Sequence, residues 1–335
     1  MKQRQNKAMI RDLWSTQHDE IINRLRGALA DDVAFYGFYP LRRLQGAESL
    51  LAQLWGPMLR ALPDLLRRPY ILLASSFEGR GWVASTGDFI GTFVEDWLGI
   101  PSSRATVRFR YGEFCRVRDG KIAEIRLLVD LPDLIRQVDR VILPASYGRD
   151  MWIPGPLAGD GVSLERIDEA ESAVTSELVE AMIFGGLNKY DQKHQDSQGL
   201  ERFWSDDMVW HGPVGIGSAY GMEEFLRDAQ GPIVGAFPDR KGVGHQARIA
   251  EGIYAASTGW PSLVGTHCGD FLGWPPTGRQ VGWNIMDFWR RDGALLRENW
   301  VLIDLIDAAL QSEVELYPPL RAYEQPWPIN KARAR

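Results

Sequence analysis

Acid/base chemistry without a metal or nucleotide needs titratable side chains held where water is scarce. In this chain the residues that fit lie between His211 and Asp304. An apolar cavity disfavours the ionised form of a carboxylate, so a desolvated Asp or Glu becomes a base able to take a proton next to a carbonyl. Asp287 sits mid-strand between Met286 and Phe288, as Glu113 does between Gly112 and Phe114. Each either faces solvent or is a buried acid with a raised pKa. His267, two residues before Gly269, is either a polar group pointing into a cavity or a hydrogen-bonded strand histidine. Asp270 reads as a turn residue, capping the turn or pairing with Arg279. Asp304 and Asp130 end a strand just before a short helix, which reads as an N-cap. His211, beside Trp210, is a weaker candidate acid, and Trp283 and Trp300 are either ligand walls or core.

Other chemistries find no motif. His18, His194, His211, His245 and His267 show no HxxxH or HxH spacing, and no cysteine pair has zinc spacing. There is no P-loop, no GxGxxG opening a helix and no GxSxG elbow. Gly212 to Gly217 is glycine-rich but opens no helix that would hold a phosphate. No metal and no cofactor are therefore expected. A net charge of −6 argues against nucleic acid, because phosphate neutralisation needs a basic surface. The basic end Lys331 to Arg335 reads as a solvated terminus. Cys115 and Cys268 both fall in predicted strands and read as small buried hydrophobes in a reducing compartment. The N-terminal residues lack an apolar leader core, and no run approaches the ~18 apolar residues of a membrane span. A soluble cytoplasmic protein is expected, with no membrane partner. Its 13 Trp suit cavities walled by rigid rings.

The elements that must position these residues are written twice. At an offset of 175, Asp32 falls on Asp207, Gly37 on Gly212, Gly46 on Gly221, Gly56-Pro57 on Gly231-Pro232 and Pro63-Asp64 on Pro238-Asp239. Thr86-Gly87-Asp88-Phe89 matches Cys268-Gly269-Asp270-Phe271 at 182, so that Ser85 stands where the second copy has His267. Further on, Glu113, Phe114, Asp130 and Gln137 match Asp287, Phe288, Asp304 and Gln311 at 174. In the first copy the periodicity predicts helices over 10–29 and 50–62, then strands over 70–76, 82–90, 105–117 and 122–129, with a hairpin turn at Arg118-Asp119-Gly120. The second copy predicts helices over 164–188 and 222–229 and three strands between Val264 and Asp304, with turns at 273–278 and 291–293. Helices first and a meander after make each copy an α+β unit. The expected domains are 1–143 and 164–316, joined by a Pro/Gly-rich linker at 144–163 and followed by a Pro-rich extended tail at 317–335.

Gly265-Thr266-His267, Gly269-Asp270-Phe271, Gly273, Pro275-Pro276-Thr277-Gly278-Arg279, Asp292-Gly293 and Glu298-Asn299-Trp300 with Asp304 occur in that order. This series resembles the C-terminal half of SnoaL-like polyketide (ester) cyclases, within the NTF2-like superfamily. The resemblance implies two tandem cone-shaped α+β barrels, each with helices packed on a strongly curved antiparallel sheet around a cavity. It also implies a cofactor-independent cyclase or isomerase acting on a hydrophobic, carbonyl-bearing small molecule. The family places its acid/base Asp just after the Trp of the last strand and a His just before it. Here those positions are Val301 and Asn299, and in the first copy Leu127 and Ile125. Catalysis is therefore expected from His267, Asp287 and Asn299, with His211, Trp283, Trp300 and Asp304 contacting substrate. The alternative is a non-catalytic binder of the same fold. An epoxide-hydrolase-like reading would need an Asp-Arg-Asp cluster that the sequence does not offer. The fused copies are expected to imitate the two-fold dimer of single-domain relatives, with homodimerisation a further option.

Overall fold

A computed structural model describes residues 2–14, 18–138, 140–165, 168–189 and 199–316. The predicted tail over 317–335, the polar stretch 190–198 and His194 lie outside them. The chain divides into two compact units, one built on residues 1–142 and the other on 143–314.

In the first unit α1 (Lys2–Leu13) and α2 (His18–Ala28) precede β1 (Leu29–Gly37) and β2 (Arg43–Gln45). A helical segment follows, made of α3 (Ala47–Leu50), a π-turn (Leu51–Trp55) and α4 (Gly56–Ala61). The sheet is completed by β3 (Leu66–Phe77), β4 (Arg80–Thr92), β5 (Thr106–Arg118) and β6 (Lys121–Val129), and α5 (Leu131–Arg136) ends the unit. The strand order is β2-β1-β6-β5-β4-β3. The β5–β6 hairpin turns through Asp119 and Gly120, both with positive φ, the geometry that favours Asp-Gly between strands.

The second unit repeats the plan. α6 (Glu169–Gly185) is capped by Asp168, whose carboxylate accepts from the Ala170 N–H at 2.9 Å. Then come β7 (Trp204–His211), β8 (Ser218–Tyr220), α7 (Gly221–Glu224), a π-turn (Phe225–Gln230), α8 (Gly231–Ala236), β9 (Lys241–Gly242), β10 (Ala247–Glu251), β11 (Tyr254–Thr266), β12 (Gln280–Asp292), β13 (Leu295–Ile303) and α9 (Leu305–Gln311). The order is β10-β11-β12-β13-β7-β8, with β9 beside β11. In both units a Gly-Pro pair follows the π-turn. Proline cannot donate to the preceding turn and its ring crowds it, so the helix widens there. Gly56 is required at that site, since a Cβ would lie 2.8 Å from the Leu51 carbonyl oxygen.

Several expectations are corrected. The sheets are open rather than closed barrels, and mixed rather than antiparallel, because β1 pairs parallel with β6 and β7 with β13. The predicted helix 10–29 is two helices, and 164–188 shortens to α6. The strand expected to end near Leu272 begins at Tyr254 and ends at Thr266. Cys268 is therefore exposed on a loop, while Cys115 is buried in β5, and both are free thiols. Arg279 pairs with Glu313, not Asp270. The copies also align differently. Asp64 binds the Thr92 N–H and hydroxyl at 2.6 and 2.7 Å, and Asp239 binds those of Thr266 at 2.6 Å each. Gln137 clamps Arg108, and Gln311 clamps Gly282, each through both backbone groups. Trp97 bridges Ile100 across positive-φ Leu98 and Gly99, as Phe271 bridges Trp274 across Leu272 and Gly273. Phe93 therefore corresponds to His267. Ser85 faces Glu113 as Ser257 faces Asp287, so Ala84-Ser85-Thr86-Gly87 corresponds to Ala256-Ser257-Thr258-Gly259. The 182 offset dissolves into two extra residues at a bulge between Gly259 and Leu263.

Candidate functional site

Side chains alternate across a strand, so β12 sends Ile285, Asp287 and Trp289 to one face of the second sheet. Register adds neighbours on that face. Asp287 lies between Ser257 of β11 and Val301 of β13, while Trp289 pairs with Asn299, which in turn pairs with Trp210 of β7. This face borders a cavity of about 410 Å³. Met182, Ile183 and Phe184 of α6 form the facing wall, with Phe225 and Ile233 from the helical segment. Arg291 fastens α6 to the sheet, donating to Thr175 at 2.9 Å and pairing with Glu171, while Thr175 donates to the Gly252 carbonyl at 2.6 Å. Arg240, Lys241, Gly242, Val243, Gly244 and His245 add to the lining, as do the polar side chains of Asn188, Gln230 and Ser262.

Asp287 is the one carboxylate bordering this cavity among the described residues. The residue is half-buried at the cavity wall. Desolvation pushes its pKa from 3.8 up to about 7, with the Asn299 amide pulling the other way. That amide donates to Asp287 at 3.5 Å and to the Phe288 carbonyl at 3.1 Å. With both N–H groups committed, Asn299 orients the acid rather than polarising a substrate carbonyl.

The cavity gathers Asp287 and Asn299 of the seven predicted site residues, and not the other five. His267 is fully buried in the loop after β11, stacked on Phe237 at 5.1 Å, and burial lowers its pKa. Trp283 packs edge-on against Phe237 and Phe271 at 4.9 and 5.4 Å, closing an aromatic core. Trp300 and His211 pair in register and stack at 5.4 Å on the opposite face of the sheet, as alternation requires once Asn299 and Val301 face the cavity. The Trp300 indole donates to the Pro154 carbonyl at 2.8 Å. Asp304 caps α9, accepting from the Asp307 N–H at 3.1 Å.

His245 is the lining residue that sequence reasoning passed over. Its flanks, Gly242-Val243-Gly244 and Gln246, carry no motif. Ser257 was within reach, since the Ala-Ser-Thr-Gly tetrad shared by the two copies sets it opposite Asp287.

The first unit holds a different arrangement at the matching place. Arg67 lies opposite Phe89 as Gly242 lies opposite Leu263. Its guanidinium is buried, 2.6 Å from Glu113, with its carbon 4.5 Å from the Tyr111 ring centre and 5.1 Å from that of Trp14. The counterpart of Asp287 is thus paired with a guanidinium, whereas Gly242 carries no side chain and Asn188 stands where its Cβ would project.

Among the described residues no helix is long and apolar enough to cross a membrane. No curated protein matches the chain. Solved structures similar to it include AclR of Streptomyces galilaeus, a candidate hydroxylase, at 23% identity, covering 42% of this chain and 86% of that one with a TM-score of 0.35. IdmH of Streptomyces antibioticus, a candidate polyketide cyclase, is 23% identical, covers 42% and 99%, and has a TM-score of 0.32. A SnoaL-like polyketide cyclase of Agrobacterium tumefaciens is 18% identical, covers 39% and 94%, and has a TM-score of 0.33. The profile of the SnoaL-like polyketide cyclases matches residues 6–138 and again 188–312, one match per unit. With two such α+β units in tandem, this chain belongs to the SnoaL-like polyketide cyclase family.

Proposed function

We propose that the second unit is a cofactor-independent cyclase or isomerase for a hydrophobic, carbonyl-bearing small molecule, with Asp287 as its base. The observation that carries this reading is a lone carboxylate in an apolar cavity, raised to about 7 and so poised to exchange protons near neutrality. The family's usual acid/base position is Val301, and Asp287 is its direct cross-strand partner. The acid therefore enters the same row of the sheet from the neighbouring strand. Ionised Asp287 takes the proton from a carbon next to a carbonyl, leaving an enolate. In a ring closure the enolate carbon bonds to a second carbonyl carbon, and the resulting alkoxide recovers the proton. In an isomerisation the proton returns to a different carbon.

The reading is tested with the hydrophobic diketone 3-benzyl-2,4-pentanedione, which ionises well above neutrality, following exchange of its C3 proton for deuterium by NMR. The rate above buffer should rise with pH through an inflection near 7, the window set by the raised pKa of Asp287. Asp287→Asn should lower it by about 10²–10⁴-fold, the usual contribution of a positioned base. Unchanged exchange in that variant would remove Asp287 from the mechanism. A second reading, a non-catalytic binder, rests on Val301 and Leu127 standing where the family has its acid. It is favoured if the diketone binds in the cavity without accelerated exchange.

A further inference from the structure

We propose that His245 is the hydrogen-bond donor of the cavity, its Nε2–H binding the carbonyl oxygen of the molecule whose proton Asp287 takes. This rests on the cavity being the reactive site. A base alone leaves the negative charge that develops on the carbonyl oxygen unsupported, so a fixed donor away from the base is the missing part. Among the polar side chains of the lining, Asn299 has both N–H groups engaged, Ser262 donates to the Gly259 and Ile285 carbonyls, Arg240 donates to Gln230, and Asn188 and Lys241 are exposed. Ser257 stands beside Asp287 in register, on the side of the base.

His245 differs in place and in preparation. It precedes β10, two strands from β12, on the flank of the cavity away from β13. Strands lie about 4.8 Å apart, so roughly 10 Å of sheet separates the strand lines of His245 and Asp287, enough for a ring system between them. An arginine can only donate, and Arg248 approaches His245 Nδ1 at 3.3 Å. Nδ1 is therefore the acceptor, and the ring proton resides on Nε2. Arg248 is itself held by Glu180 of α6, at 2.7 Å, so the tautomer is fixed from outside the cavity. Burial and then Arg248 lower the imidazole pKa to about 4, which keeps the ring neutral at the pH where Asp287 works. Arg248 and Glu180 are positioning residues in this arrangement, since neither borders the cavity.

The experiment compares 2-acetylnaphthalene with 2-isopropenylnaphthalene, which replaces the carbonyl oxygen by a methylene of similar shape. Binding is read by tryptophan fluorescence of the full chain at pH 8.5, where Asp287 is ionised and cannot donate. The ketone should bind about tenfold more tightly, the size of one good hydrogen bond. His245→Phe should remove that preference while still binding both probes, and His245→Gln should keep part of it. In ¹⁵N-histidine NMR, His245 should show the Nε2–H tautomer and titrate below pH 5, and Arg248→Met should mix the tautomers. Equal affinity for the two probes, a preference that survives His245→Phe, or an Nδ1–H signal overturns the proposal while leaving Asp287 as base. Failure of both probes to bind overturns the cavity reading along with it.

Discussion

The two units share a threonine-binding aspartate, a glutamine clamp and a bridged tight turn, yet they treat one buried acid in opposite ways. In the first unit Glu113 meets Arg67 and the site is filled by charge and aromatic rings. In the second, Asp287 meets an amide and borders the cavity, and Gly242, in the arginine's place, brings no charge. On the proposed reading, one position two strands away from the carboxylate decides its chemistry. An opposite charge there makes the acid a structural partner, and its loss leaves desolvation free to turn it into a base.

The comparison can be broken most severely by making the second unit like the first. Gly242→Arg should place a guanidinium against Asp287, with the Asn188 side chain, 2.6 Å from a Cβ at that site, moving aside. Diketone exchange should fall about 10³-fold as the base is neutralised and the cavity filled. The Asp287 carboxyl resonance in ¹³C NMR should titrate well below 7. An unchanged rate would show that position 242 does not decide the matter. In the first unit, Arg67→Met strands a buried carboxylate and should cost roughly 3–5 kcal/mol in urea unfolding, most of it recovered by Arg67→Met with Glu113→Leu. A loss within error of zero would mean that Glu113 is not held by its partner.

The smallest effect sharpens the account of Asp287. Its folded pKa, about 7, lies above the unfolded value near 3.8, so the folded state binds the extra proton in between. Stability is full below about pH 4 and falls as pH rises to about 7. Asp287→Asn should match the parent near pH 4 and exceed it above pH 7, by up to about 4 kcal/mol, in urea unfolding at both pH values. Parallel stability profiles would argue that Asp287 ionises as readily as a surface acid.

The duplication, the helix-then-meander plan, the hairpin at Asp119-Gly120 and the position of Asp287 mid-strand were legible because they depend on local pattern. β1 and β7 were not, since each pairs in parallel with the last strand of its sheet, a long-range contact that no turn announces. The faces of Trp300 and His211 hinge on which parity of β13 is inward, and that follows only once Asp287 is known to border the cavity. His267 kept its sequence motif but serves the aromatic core, because the strand expected to carry it ends one residue earlier at Thr266. His245 was invisible for the opposite reason: it is set by an arginine three residues on, which a glutamate of α6, far away in sequence, holds in turn.

The segment that reads as a linker has a consequence for anyone dividing the chain. Arg149 pairs with Ser218 as an added short rung on β8, the Tyr147 hydroxyl accepts from the Leu272 N–H, and Pro154 accepts the indole proton of Trp300. A fragment beginning at residue 164 would leave a buried indole N–H without its acceptor and strip the outer edge of the sheet. The compact second unit begins at Leu143, so the Pro/Gly-rich run belongs to its architecture.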